Sequence, residues 1–341
     1  MSKNSKKVIA IVGLTASGKT AFGVRLAKEF NGEIISADSR QVYRGLDLGT
    51  GKDLDEYDSV PYHLIDIVDP EEKMTLFDYL PLARAAIADV LSRGKLPIIV
   101  GGTGLYVQGI VEGFELQVAE RQSVGVAECS RQELDEKSVK EKNEHDELNR
   151  EQLSNLTIQQ LNNLIDKIDP DKNLKVDRKN AHRLIRAIEM AQEGLTPVKI
   201  KPDFEVLQIG IDVSRDVLHE KIDKRVDTRF AEGMLEEVQG LIDRGVSTDW
   251  LIGLGLEYRI MTEFLQKIAK LSNCEIAELP KDNNMTMKQY NNEFLEVSQD
   301  LKFKSHQFAR RQMTWFRRFP EINWLSEYDQ IKRFVNIFIT H

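Results

Sequence analysis

Val8 to Val12 is an unbroken apolar run of mostly β-branched residues that enters a glycine-bearing turn, after which Phe22, Leu26 and Phe30 recur at helical spacing. That order predicts strand, loop and helix. Glu33–Ala37 and Leu96–Val100 carry the same buried-strand texture, and Leu76–Arg93 has a helical pattern with Pro81 in its first turns. Such alternation implies a parallel sheet covered by helices. From about Phe114 the strand-like runs stop, and Ala119 to Arg150 is dense in Glu, Lys, Gln and Asn. Helices are expected at Thr157–Ile168 and Asn180–Gln192, with Asp169-Pro170 as punctuation between them. Phe204–Val213 alternates as a strand that returns to the sheet. A long helix from Arg215 then places Leu218, Ile222, Val226 and Phe230 on one face, Gly233 and Gly245 mark a break and an end, and the remainder reads as helical. The expected organisation is a core of residues 1–113 and 201–341 interrupted by a helical insertion, 114–200.

Composition narrows the classes. A chain of 341 residues that is 41% hydrophobic can bury a sizeable core. A formal charge of −8 argues against a surface that coats nucleic acid everywhere, while leaving room for a local basic groove. The short apolar run after the first residues suits neither a secretory leader nor a membrane span, so a cytoplasmic protein without a membrane partner is expected. Cys129 and Cys274 are too few for a disulfide framework or a four-ligand zinc finger, and the six histidines show no metal-ligand spacing.

Gly13-Leu14-Thr15-Ala16-Ser17-Gly18-Lys19-Thr20 satisfies the phosphate-loop pattern between a strand and a helix. Gly13 and Gly18 permit the tight path, successive amides and the helix N-terminus face one anion, Lys19 adds a full charge, and Thr20 is placed to hold Mg²⁺. A pyrophosphate or polyphosphate ligand follows, but kinases, hydrolases and other transferases share the loop. Asp38, at the end of the second strand, should face that phosphate, as a metal ligand or proton acceptor; its bland alternative is a turn-capping carboxylate. Ile98–Tyr106 is again a buried strand running into a glycine-rich turn, Gly101-Gly102-Thr103-Gly104, where Thr103 offers a hydroxyl and the turn itself could be purely structural.

Taken together, Gly13–Thr20, Ala37–Gly45 and Val100–Tyr106 closely resemble the tRNA dimethylallyltransferases. The resemblance extends through Leu46–Lys52, His63–Ile67, Arg183–Glu189, Lys221–Val226 and Ala309–Arg317, and so spans nearly the whole chain. It implies a P-loop NTPase-like α/β fold whose loop, Thr15 to Thr20, holds the pyrophosphate of dimethylallyl pyrophosphate with Arg225 and Mg²⁺. It further implies that Asp38 is the general base on the N6 amine of the adenosine 3′ of the anticodon, with Thr103 hydrogen-bonding nearby. Asp38, Ser39, Arg40, Gln41 and Thr103, and His182, Arg183, Leu184, Ile185 and Arg186, match tRNA-contacting stretches of the family. The chain is similar to the bacterial type, and a monomer is expected. It departs from the family's habit in having Leu14 in place of a frequent proline, and in Leu254–Arg259, where a Gly-Tyr-Lys or Gly-Tyr-Arg pattern is commoner.

RNA could meet this acidic chain in two basic clusters. Lys302, Lys304, Arg310, Arg311, Arg317 and Arg318 interleave with Phe303, Phe308, Trp315 and Phe316, where Trp315 and Phe316 are better read as core and the arginines as phosphate contacts. Arg178, Lys179, Arg183 and Arg186 sit near the insertion's end, where they could help clamp an anticodon stem-loop. The rival readings are a P-loop small-molecule kinase and an adenylate isopentenyltransferase. The first leaves the insertion and basic C-terminal helix without purpose; the second has no need of a large helical insertion.

Overall fold

The computed structural model describes residues 6–118, 148–169, 176–272 and 287–341. In chain order its elements are β1 (Lys6–Val12), α1 (Lys19–Glu29), β2 (Gly32–Ser36), β3 (Tyr62–His63), α2 (Leu76–Ser92), β4 (Leu96–Gly101) and α3 (Gly104–Val111). Then come β5 (Phe114–Val118), α4 (Arg150–Ser154), α5 (Ile158–Ile168), α6 (Ala181–Gln192), β6 (Leu195–Lys199) and β7 (Phe204–Ile211). The chain closes with α7 (Arg215–Ala231), α8 (Met234–Asp243), α9 (Thr248–Leu254), α10 (Leu256–Ser272), α11 (Met287–Phe316), β8 (Asn323–Leu325) and α12 (Tyr328–Thr340). Two compact units result, Met1–Gly113 with Lys201–His341, and Phe114–Ile200.

The first unit is built on a six-stranded sheet, ordered β3-β2-β4-β1-β7-β8, in which every pairing is parallel. Central strands of such a sheet are covered on both faces, which is why β1 and β4 read as continuous apolar runs. Ile9 pairs with Ile98 on one side and with Leu207 on the other, and Ile9, Ile11, Ile34, Ile98 and Ile209 are fully buried together. Helix α2 starts at a capping box in which the Thr75 hydroxyl accepts from the Asp78 amide and the Asp78 carboxylate accepts from the Thr75 amide. Pro81 is tolerated early in that helix, as expected.

The second unit is a two-stranded antiparallel ribbon, with Phe114 opposite Lys199 and Val118 opposite Leu195, together with α4, α5 and α6. Leu153, Leu161, Ile165, Leu184 and Ile188 form its fully buried apolar core.

Two sequence expectations need correction. Strand structure does not stop at Phe114, because β5 begins there and pairs with β6. Pro197 lies within β6, a residue usually confined to edges and bulges, and that obscured the strand. The C-terminal region is likewise not wholly helical, since Asn323–Leu325 adds β8 to the sheet edge beside β7. Residues 119–147, with Cys129 and His145, lie outside the described residues, as does Cys274.

Candidate active site

Adjacent parallel strands end at the same edge, so the order β2-β4-β1 brings together the three loops that the sequence singled out. The loop after β1 turns tightly, with the Ser17 amide donating to Leu14 O at 3.1 Å and Ala16 and Gly18 in the left-handed region, at φ 59° and 84°. Glycine adopts that conformation without a Cβ penalty at the point where α1 begins. Thr15, Ala16, Gly18, Lys19 and Thr20 line a cavity of about 550 Å³, a size suited to a small-molecule ligand. Gly13 and Ser17 are buried behind it: the Ser17 hydroxyl lies 2.5 Å from where a Cβ on Gly13 would be and has no hydrogen-bond partner among the described residues.

Asp38 and Thr103 line the same cavity. Asp38 Oδ1 accepts from the Arg40 amide at 2.9 Å, so the turn-capping role holds, alongside exposure of the carboxylate to the cavity. Thr103 Oγ1 accepts from the Ser39 amide at 3.4 Å, which ties the β4 turn to the β2 turn. Arg40 Nε donates to Leu254 O at 2.5 Å, and Gln41 links the Ser36 hydroxyl to Gly51 O. These two side chains therefore brace neighbouring loops as well as lining the cavity.

Cations dominate the floor. Arg225 Nη1 donates to Thr15 Oγ1 at 3.1 Å from α7, whose Leu218, Ile222 and Val226 are buried. Burial lowers the Lys19 ammonium to about pKa 8, with Arg225 adding to the effect and Asp38 opposing it. Burial also raises the Glu56 carboxyl, helped by Asp53. Residues that sequence reasoning missed complete the site. Gln312, on α11, accepts from the Thr15 amide at 2.8 Å and donates to Gly102 O at 2.9 Å, bracing the phosphate loop against the Gly-Gly-Thr-Gly turn. It lies 297 positions from Thr15, with no local pattern to reveal the pairing. Arg229, one turn beyond Arg225, also lines the cavity, and its signal was the i, i+4 spacing.

The remaining candidates divide by exposure. On α11, Phe316 is fully buried, while Phe308 and Arg311 line the cavity and Arg310 is exposed, as are Arg317 and Arg318 in the turn that follows the helix. Lys302 and Lys304 are ion-paired with Asp227 and Asp300. In the second unit Leu184 and Ile185 are buried in the helical core, so their side chains pack rather than face solvent. His182 and Arg183 are exposed, and Arg186 is half-buried against Glu189. Among the described residues no helix is long and apolar enough to cross a membrane, and no group of three or more His, Cys, Asp or Glu is arranged to hold a metal ion.

Comparison with known proteins gives one consistent result. The family model described as IPP transferase matches residues 41–319, and the one described as isopentenyl transferase matches 6–58. The tRNA dimethylallyltransferase 2 of Shewanella sediminis is 39% identical, covering 94% of this chain and 93% of the relative. The tRNA dimethylallyltransferase 1 of Geotalea daltonii is 36% identical over 94% and 90%. Among solved structures, the full-length tRNA isopentenylpyrophosphate transferase of Bacillus halodurans superposes with a TM-score of 0.63 at 32% identity, covering 98% of this chain and 97% of the other. A eukaryotic dimethylallyltransferase solved acting on tRNA gives 0.62 at 26% identity, covering 92% and 70%. With so broad a match in sequence and in fold, this chain belongs to the IPP transferase family, and its sheet is the P-loop NTPase-like one.

Proposed function

We propose that this chain is a tRNA dimethylallyltransferase that moves the prenyl group of dimethylallyl pyrophosphate onto the N6 amine of the adenosine 3′ of the anticodon. The observation that carries the reading is one cavity lined both by a phosphate loop with Lys19 and Arg225 and by Asp38 and Thr103. An aromatic amine is a weak nucleophile, so the allylic carbon must take on positive character as its bond to the diphosphate oxygen breaks. The loop amides, Lys19 and Arg225 stabilise the negative charge that builds on the departing diphosphate. The amine nitrogen forms the new bond to that carbon, and Asp38 accepts the proton the nitrogen releases. Thr103 is placed to hydrogen-bond beside the reacting amine. A base enters such a cavity only after leaving its stack, which costs least for a nucleotide in a loop.

The donor set suits Mg²⁺. That ion is commonly held by one or two protein oxygens together with substrate phosphates, and here Thr20 and Asp38 supply oxygens to a cavity framed for an anion. Thr20 would hold the ion, which would supply further neutralisation of the diphosphate. For the RNA, exposed His182 and Arg183 on the second unit, Arg310 on α11 and Arg317 and Arg318 just beyond it supply groups suited to phosphates.

The test is to incubate the protein with labelled dimethylallyl pyrophosphate and Mg²⁺, offering tRNA, AMP or hydroxylic kinase substrates with ATP. Label is expected in tRNA alone. Asp38→Ala should still bind tRNA while turnover falls by about 10²- to 10⁴-fold. Label in AMP but not tRNA would overturn the acceptor, and phosphoryl transfer from ATP would overturn the reaction class.

A further inference from the structure

Arg229 is a buried cation that the protein itself neutralises only in part. Its side chain is 8% exposed, and Nη2 has no hydrogen-bond partner among the described residues. Burial lowers its guanidinium to about pKa 10, and the adjacent Arg225 charge adds to that. A second like charge lies close by. A Cβ built on Gly51, whose φ is +65°, would fall 1.8 Å from Arg225 Nη2 and 1.9 Å from Arg229 Nη2, so both nitrogens converge on one point of the loop backbone. The acid nearest to both is Asp53, whose Oδ2 lies 3.6 Å from Arg229 Nη2 and 3.7 Å from Arg225 Nη2, within ion-pair range but beyond a hydrogen bond. Asp53 reaches this position from a left-handed backbone at φ 44°, which is unfavourable for a non-glycine residue. All three side chains line the cavity that holds the phosphate loop.

Burying a guanidinium with incomplete hydrogen bonding works against folding, and two side by side do so more strongly. A dianionic or trianionic ligand would remove the penalty for both, because the planar guanidinium fork matches phosphate oxygens in geometry. Asp53 offers one negative charge at the same place, at distances too long to satisfy either arginine.

We propose that Arg229 is a second diphosphate-binding residue beside Arg225, and that Asp53 is an internal stand-in for the diphosphate, facing both guanidiniums until the substrate takes its place. The inference rests on the reading of the cavity as a diphosphate site.

The experiment measures binding of inorganic pyrophosphate with Mg²⁺ by titration calorimetry to the full chain, and of dimethylallyl pyrophosphate as a second probe. Arg229→Met should weaken both by about ten- to hundredfold. It should also raise the donor KM with tRNA KM unchanged, and leave the ligand-free unfolding midpoint equal or higher, since an apolar side chain replaces an uncompensated charge. That midpoint excludes misfolding as the cause, and Arg229→Lys should recover part of the affinity. Asp53→Asn should tighten pyrophosphate binding severalfold. Wild-type affinity in Arg229→Met overturns the assignment of Arg229, and weaker binding by Asp53→Asn overturns the stand-in role. Failure of the wild-type protein to bind either probe would instead sink the diphosphate reading beneath both.

Discussion

Buried charge is handled in opposite ways at the two ends of the parallel sheet. Glu33, near the start of β2, is 1% exposed and surrounded by its own partners. Arg93 donates to both carboxylate oxygens, Lys95 Nζ donates at 2.7 Å, and His63 Nε2 is 2.8 Å away, so these bonds, led by Arg93, hold the carboxyl far below its usual range. At the carboxyl end, half-buried Lys19 and buried Arg229 have fewer partners than donors, and both are pulled toward their neutral forms. A charge satisfied within the fold builds structure. A charge left short of partners raises the energy of the empty protein and lowers it again when a ligand of opposite sign arrives, which is the electrostatic form of preorganisation.

The strongest break of this comparison comes from Lys19→Met. Turnover should fall by roughly 10²- to 10³-fold, the cost of removing one donor aimed at developing negative charge. Stability in urea should hold or rise, because an ammonium short of partners has been taken out of a partly buried position. A loss of stability comparable to the loss of turnover would mean that Lys19 is structural, and the contrast with Glu33 would vanish.

Glu33→Gln should do the reverse. The variant keeps the shape but loses charge-assisted bonds, at a cost of about 1.5–3 kcal/mol in urea unfolding, with turnover at saturating substrate unchanged. The pH dependence has a definite sign. Because the folded carboxyl titrates below its ordinary value of 4.5, its contribution is complete above that pH and is lost as pH falls beneath it. The wild-type and variant stability curves should therefore converge in acid. Parallel curves down to pH 3 would show that Glu33 gives the fold no net charge stabilisation.

The two ends were not equally legible in the sequence. The phosphate loop is contiguous, its backbone geometry is dictated by its own glycines, and the strand before it is a plain apolar run; hence Lys6–Val12, Lys19–Glu29 and Leu96–Gly101 lie close to where periodicity put them. Asp38 and Thr103 followed from the rule that parallel strands share an edge. Gln312 and Asp53 did not follow, because each acquires meaning only from residues distant in the chain. Arg229 was passed over for a specific reason: the apolar stripe Leu218, Ile222, Val226 drew Phe230 into the expected face, whereas Phe230 is half-buried and the charged neighbour is the more enclosed of the two. Burial of an arginine is the less frequent outcome, so pattern reasoning discards it where function requires it. The short strands β3 and β8 escaped because two or three residues carry no period.

The finest test of the comparison is the pH dependence of pyrophosphate binding, which reads Lys19 without removing it. The empty site holds this ammonium at about 8, below the ordinary 10.5, and an anion favours the protonated form. Below pH 8 the proton is already present and affinity should be level in this respect; above it, binding must take up a proton, and affinity should fall by up to about tenfold per pH unit. The stability of the ligand-free protein runs the other way. Between 8 and 10.5 the unfolded chain binds the extra proton, so the contribution of Lys19 to unfolding free energy rises with pH. Lys19→Arg keeps the charge throughout and so controls for ionisation of pyrophosphate itself. The ratio of wild-type to variant affinity should be constant below pH 8 and decline above it. A ratio flat to pH 10 would show that Lys19 keeps its proton in the empty site, and that this end of the sheet is as well satisfied as the other.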